Sequence, residues 1–414
     1  MRKPWLLTAA AGCTVLFVAA CGSGSTSTPS SGGSGGSSAT TIKIGTLHPL
    51  TGTYAGDGQQ LENGVKLGIK AVNDAGGIKA LGGARLVLDP GDTKGNASTG
   101  QSEAQRLAQN GDVALIGTYQ SAVAQNVAAA AERNRVPFLM DVASDDQILE
   151  HGYTYSFRVQ PKASVFAVQA AKYLQTLTEN ANPKITKVAY LHESSNFGTG
   201  DYQAFKKQAE SEGFTVAPEI SYDAASVTDL TTQITQVKAS GAQVLAVSGY
   251  YNDGVLAAKA ITTVQPGLQA VLGVADGAFD QTQFVSDLGQ SSKNYFDVNY
   301  ALGSSSASQK LASDYQSAYG QPMRTEAAIA YDAVQVIAAG LEASKSTDRT
   351  KLRDAIAQVK VTPLTAGNPI SFSSAGENTG AVPVLEQVQG GKVVTVLPEN
   401  LATVKPVFPA APGQ

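Results

Sequence analysis

The chain has 414 residues but only two cysteines, Cys13 and Cys21, both within the first 21 positions. The rest of the chain therefore forms no disulfide of its own and no thiolate metal site. Histidine is nearly as scarce. His48, His151 and His192 occur without an HExxH pattern, and Leu191-His192-Glu193-Ser194 lacks the second imidazole that helical zinc binding needs. Charge is sparse too: 15% of residues are charged, and 30 Lys+Arg against 34 Asp+Glu leave a net charge of −4. With 43% hydrophobic residues, this is neither the profile of a basic nucleic-acid binder nor that of a disordered chain. There is no GxxxxGK[ST], no strand-linked GxGxxG, no EF-hand loop, and no GxSxG beyond the first forty residues. The usual signatures of phosphate, dinucleotide, calcium and hydrolase chemistry are therefore missing, and nothing calls for an enzyme, a metal or a cofactor.

What the N-terminal region holds is an address. Arg2 and Lys3 precede an apolar run from Trp5 to Ala20, and the small residues Ala19-Ala20 stand before Cys21. This is the layout of a secretory signal peptide over 1–20, too short to cross a bilayer comfortably. From Gly22 to Thr41 the chain is Gly, Ser and Thr with one Pro and one Ala, so no face can be buried and the segment reads as a flexible tether. Its root-mean-square reach is roughly 25 Å.

A body of this length exceeds the size at which one core stops growing, so two lobes are expected. Ile42–Thr46 reads as a buried strand, and Leu61, Val65, Ile69 and Val72 recur at helical spacing within Asp57–Ala75. Strand and helix patterns then alternate to Met140, and a second alternating series runs from Ala163 to Leu272. Beyond Ala301 the chain reads as mainly helical, ending in two strand-like runs, Val382–Gln389 and Val393–Leu397. The pattern predicts an α/β fold of two Rossmann-like lobes with mainly parallel sheets. In such sheets ligands lie beyond the carboxyl ends of the strands, which directs attention to the loops after Gly117, Met140, Leu191, Val247 and Leu272.

In Gly117-Thr118-Tyr119-Gln120-Ser121 a strand passes into a helix. Two readings of Ser121 compete: a plain helix N-cap, or a hydroxyl that joins backbone N–H groups in holding a carboxylate. Ser144, just past the next strand, has the same two readings. Tyr250 and Asp276 close consecutive strands of the second series, so an aromatic hydroxyl and a carboxylate share one sheet edge; Asp276 reads equally as a turn former. Phe197 is either a pocket wall or a core residue. His192, directly after a strand, reads as a hydrogen-bonded structural residue.

Taken in order, several fragments resemble the bacterial extracytoplasmic solute-binding proteins of the branched-chain amino-acid type, the type I periplasmic binding proteins that serve ABC importers. They are Ile42-Lys43-Ile44-Gly45, Pro49-Leu50-Thr51-Gly52, Gly58-Gln59-Gln60-Leu61-Glu62-Asn63-Gly64, Asn73-Asp74-Ala75-Gly76-Gly77, Gly152-Tyr153 with Phe157-Arg158, and Phe197-Gly198. The resemblance spans nearly all of 42–400. It implies three hinge crossovers, near Gln160, near Tyr300 and between Ser371 and Val382, with lobe one as 42–160 plus 301–375 and lobe two as 161–300 plus 376–414. By the same resemblance Ser121 and Ser144 hold a ligand carboxylate, Asp276 pairs with its ammonium, and Tyr250 and Phe197 supply aromatic walls. Val18-Ala19-Ala20-Cys21 is similar to the lipobox, making Cys21 a lipid attachment site and holding the protein on the outer face of the cell membrane.

The expected function is therefore capture of a small amino acid or related compound by hinge closure, and its delivery to an ABC permease and ATPase. Gln120, directly before Ser121, and Asp57, where relatives often carry an aromatic residue, both touch the expected side-chain pocket. Asp57, Asp141 and His192 are candidates for favouring a polar or cationic side chain. An aromatic or other organic acid, or an amide such as urea, is the alternative solute, and ligand sensing for a membrane receptor is the alternative role.

Overall fold

A computed structural model describes residues 40–413. The expected leader, Cys21 and nearly all of the tether lie outside the described residues; Thr41, counted with the tether from sequence, opens the first strand. The first half runs β1 (Thr41–His48), α1 (Ala55–Asp74), β2 (Arg85–Asp92), α2 (Ala97–Gln109), β3 (Ala114–Gly117), α3 (Ser121–Asn134), β4 (Phe138–Met140), α4 (Gln147–Glu150) and β5 (Ser156–Arg158). The second series runs α5 (Ala163–Thr178), β6 (Lys187–Glu193), α6 (Asn196–Ser211), β7 (Thr215–Tyr222), α7 (Thr231–Ser240), β8 (Val244–Ser248), α8 (Tyr251–Val264), β9 (Ala270–Val274), α9 (Thr282–Leu288) and β10 (Phe296–Asn299). Then follow α10 (Ser306–Tyr319), α11 (Thr325–Ser344), α12 (Arg349–Ile356) and the hairpin β11 (Val384–Gln389) and β12 (Lys392–Leu397).

Two sheets result. The first is wholly parallel, in the order β2-β1-β3-β4-β5. The second has the order β12-β11-β10-β9-β8-β6-β7, parallel from β7 to β10 and antiparallel at β11 and β12. The strand order therefore reverses beside β1 and β3 in one sheet and beside β6 and β8 in the other, and such switch points open a crevice at the carboxyl ends. Two strands and two short helices carry no sequence signal of their own. β5 is only three residues long, and in β10 the buried Asp297 interrupts an apolar run.

The core follows the helical spacing. Leu61, Val65, Ile69 and Val72 are buried along one face of α1, each contributing about 1.5–3 kcal/mol relative to exposure. α1 packs against α11, and the contact is close because α1 carries Gly64 there. A Cβ on Gly64 would lie 2.1 Å from the Ala327 carbonyl oxygen. This seam sets the height of the first turn of α11, which borders the crevice.

The chain passes from the first sheet to the second between Arg158 and Ala163, and returns between Asn299 and Ser306. Near its end, Glu377 bridges to Arg158 of β5, and the chain then enters β11 at Val384. Among the described residues no helix is long and apolar enough to cross a membrane.

Candidate functional site

The loop after β3 turns directly into α3, whose N-cap Gln120 makes no side-chain cap. Ser121 therefore opens the helix with its own N–H unbonded within it. Its Oγ accepts the N–H groups of Ser144 and Asp145, both at 3.2 Å, tying the loop after β3 to the loop after β4. A hydroxyl so engaged still has its proton to donate. Among the described residues the Ser144 hydroxyl has no hydrogen-bond partner. Two hydroxyls and the N-terminus of a 14-residue helix thus converge at one end of a crevice, an arrangement suited to an anion.

From the second half come Phe197 and Tyr250. Phe197 sits in the first turn of α6, where Ser195 caps the helix by accepting its N–H at 3.3 Å and the Glu193 carboxylate accepts from Ser195 and Gly198. Tyr250 precedes α8, its N–H donated to Asp253 at 3.1 Å. Burial pushes the Asp253 carboxyl up to about 7, despite the N–H of Tyr250 and the hydroxyl of Tyr222 that it accepts. The ring of Tyr250 packs on Phe197 (centroids 5.7 Å apart), Tyr54 (5.3 Å) and Tyr119 (5.4 Å), joining rings from both halves.

Polar contacts cross the crevice as well. Tyr251 donates its N–H to the Tyr119 hydroxyl at 3.4 Å, Asn252 donates to the Thr53 carbonyl at 3.1 Å, and Asn196 donates to Gln147 at 3.2 Å. Arg324 stacks over the Tyr251 ring, 4.1 Å from its centroid, and donates to Gln283 Oε1 from Nε at 3.1 Å. Between the halves lies a small cavity of about 40 Å³. Its walls are Tyr119, Ser121, Val142, Ser144, Gln160 and Glu326 on one side and Phe166, Phe197, Gly249, Tyr250, Ala275, Gly277, Gln281 and Asn299 on the other, with Tyr300 between.

Of the residues singled out from sequence, Ser121, Ser144, Tyr250 and Phe197 meet on this cavity. Asp276 does not line it. Its neighbours Ala275 and Gly277 form the wall, while its carboxyl faces α8: Oδ1 accepts the Ala278 N–H at 2.9 Å, a Cβ on Gly254 would lie 2.6 Å from that oxygen, and Oδ2 has no partner. Burial, reinforced by Asp253 and Asp280, holds this carboxyl well above the usual range. Gln120 borders an adjoining cleft with Tyr54, Glu193 and Tyr250, its amide without a partner. Asp57 is paired with Arg324.

Asp141 and His192 have structural partners. His48 donates from both ring nitrogens, at 3.0 Å to Glu62 and 2.7 Å to Asp141. Burial opposes the imidazolium, but the two carboxylates prevail and raise His48 to about 9. His192 bonds the Glu193 carbonyl at 2.7 Å and Glu219 at 3.3 Å, and stacks on Tyr202. Among the described residues no three His, Cys, Asp or Glu are placed to hold a metal ion.

A family model described as "Periplasmic binding protein" matches residues 41–392. The chain belongs to that family. Leu/Ile/Val-binding protein homolog 8 of Brucella abortus is 28% identical to this periplasmic binding protein over 381 residues, covering 89% of this chain and 93% of the relative. Leu/Ile/Val-binding protein BraC3 of Rhizobium johnstonii is 27% identical over 356 residues, covering 85% and 93%. Two solved structures share its fold. A leucine binding protein of Thermotoga maritima matches with TM-score 0.74 and 19% identity over 86% of this chain and 97% of that one. A solute binding protein from R. palustris, in complex with benzoate, matches with TM-score 0.75 and 19% identity over 90% and 97%. The fold of this binding protein is thus the type I arrangement of two α/β lobes.

Sequence reasoning missed Tyr119, Gln160, Gln281, Asn299, Tyr300 and Glu326 as cavity residues. Tyr119 stands two residues before Ser121 and was within reach of the loop argument. Gln160, Asn299 and Tyr300 lie where the chain passes between sheets, and no local pattern marks such positions. Glu326 looks like an ordinary first-turn acid of α11.

Proposed function

We propose that the cavity binds a small amino acid or related carboxylate, its anionic end on Ser121, Ser144 and the N-terminus of α3, its body between Phe197 and Tyr250. Membership of the periplasmic binding proteins supports reading the protein as the substrate-binding protein of an ABC transporter. The observation that carries the solute reading is the pair of serine hydroxyls at a helix N-terminus, inside a space walled by both lobes. A buried carboxylate left unpaired is costly, so donors gathered in this way favour an anionic group. The solute touches both lobes only when they are together, which is how binding selects the closed form.

In this reading the crossovers near Gln160 and Tyr300 and the stretch from Ser371 to Val382 serve as hinges. They divide lobe one, 42–160 with 301–375, from lobe two, 161–300 with 376–414. Asp276 shapes the Ala275–Gly277 wall from behind, and Gln120 and Asp57 act at the margin of the cavity. Closure presents a surface to the permease, Cys21 carries the lipid that holds the protein outside the cell membrane, and the protein performs no chemistry on its solute. The similarity to proteins named for leucine, isoleucine and valine supports an amino acid. The rings of Phe166, Phe197, Tyr119, Tyr250 and Tyr300 on the cavity, with a benzoate complex among the structural relatives, favour an aromatic acid as the second reading.

A thermal-shift screen against the twenty amino acids, small aromatic acids and urea separates the two. A specific solute at a hundredfold excess over its Kd adds about 2.7 kcal/mol. A response confined to amino acids supports the first reading, one confined to benzoate-like acids supports the second, and a response to urea alone refutes both.

A further inference from the structure

Glu326 lies in the first turn of α11, held there by the close seam between Gly64 and Ala327. It borders the cavity and is only 3% exposed. Among the described residues its sole hydrogen-bond partner is Arg324 Nη1 at 3.5 Å, the outer limit of such a bond. That guanidinium is already committed: Nη1 to Asp57, Nε and Nη2 to Gln283 at 3.1 and 2.5 Å. A carboxylate has about four acceptor positions, so most of the capacity of Glu326 is left for whatever fills the cavity. Among the described residues no other acid lines that space, and no Lys or Arg does.

We propose that Glu326 receives a protonated amine of the bound solute, and so sets a preference for amine-bearing carboxylates over purely anionic ones. This rests on the amino-acid reading above and deepens it, moving the cation site from the second lobe to α11. The amine is either the α-amino group or one at the far end of a side chain; both present the same alkylammonium chemistry. The charged groups facing Glu326 are Arg324 beside it, Asp57 from α1 and Asp280 from the loop after β9, and its charge is felt by the hydroxyls of Tyr119 and Tyr300. Three carboxyl groups thus surround one guanidinium. Burial, with Asp57 and Asp280 adding to it and Arg324 opposing, holds Glu326 at about 8. An arriving ammonium therefore displaces a proton from it at neutral pH, whereas a solute without the amine does not.

The test is isothermal titration of the purified protein at pH 7 with L-leucine, 5-aminopentanoate, L-ornithine and 2-hydroxy-4-methylpentanoate, each in two buffers of different ionisation enthalpy. In wild type, the amines that bind are expected to release up to one proton each, and the hydroxy acid none. Glu326→Gln should weaken amine binding at least tenfold, abolish the proton release and leave the hydroxy acid within twofold. Loss for leucine assigns the α-amino group; loss for 5-aminopentanoate with leucine unchanged assigns the distal one. Glu326→Asp should recover part of the affinity if the charge is what matters. Amine affinity unchanged in Glu326→Gln but lost in Asp276→Asn overturns the proposal while sparing the amino-acid reading. Amines that bind wild type without proton release overturn it even if the Gln variant fails to fold, and a wild type that binds no amine overturns both.

Discussion

The α1–α11 seam makes a prediction in which one substitution has opposite signs at two glycines. In a helix interior, Gly→Ala is normally worth up to about 1 kcal/mol in stability. At Gly200, within α6, a Cβ meets nothing within 4 Å, so Gly200→Ala should stabilise by nearly that amount. At Gly64 the same methyl would lie 2.1, 2.8 and 2.9 Å from the O, C and Cα atoms of Ala327. These are backbone atoms and cannot rotate away, so α1 and α11 must move apart by about 1 Å to restore van der Waals contact. Overpacking of this kind costs roughly 1–3 kcal/mol, and because the shift runs along two 20-residue helices the upper end is expected. The clash then outweighs the propensity gain, for a net loss of about 1–2 kcal/mol, or a Tm lower by roughly 1–3 °C. The shift also lifts Glu326 and Arg324, so solute affinity should fall together with stability. Thermal and urea unfolding of both variants, with calorimetric titration of the solute, test this. If Gly64→Ala matches Gly200→Ala in stability and keeps wild-type affinity, the account of what positions the first turn of α11 is wrong.

Further expectations follow from the hydrogen bonds and the buried charges. Ser121→Ala removes the acceptor of two buried N–H groups, so it should cost about 1–3 kcal/mol of stability and weaken carboxylate binding at least tenfold by titration. Gln283→Ala removes the cross-lobe partner of Arg324; its effect should be a faster solute off-rate in stopped flow, and an unchanged off-rate would count against a role in closure. Stability should fall as pH rises from 5 to 9. Asp332 at about 7 and Glu386 at about 8 are held protonated mainly by burial. They stabilise fully below their ordinary range near 4, and this is lost as pH climbs through 7 to 8. His48, raised to about 9 despite its burial, stabilises below about 6.5 and loses that through 9. Glu386→Gln, opposite Asp297 in the β10–β11 register, should flatten the slope of the urea midpoint against pH, and a midpoint equal at pH 5 and 9 in wild type would refute the assignment.

Much of the architecture was legible because periodicity is local. Leu61, Val65, Ile69 and Val72 mark a helix face whatever lies opposite, and Ala114–Gly117, Ser121–Asn134 and Ser306–Tyr319 fall where the pattern puts them. The loops after β3, β4, β6 and β8 could be named as site loops because open parallel sheets place their crevices at strand ends. Sequence thus determined the two α/β series, the scarcity of thiols and imidazoles outside the leader region, and four residues that meet on the cavity: Ser121, Ser144, Phe197 and Tyr250. Tertiary structure alone decided the rest. Whether Asp276 faces the solute or α8 depends on Gly254, more than twenty residues earlier, leaving room for its oxygen. Whether Glu326 is a capping acid or a cavity wall depends on a glycine about 260 residues upstream admitting α11 to the seam. Asp57, Asp141 and His192 found their partners in Arg324, His48 and Glu219. The direction of a side chain at a strand end or helix start is set by what packs on it from distant parts of the chain, and no local spacing encodes that contact.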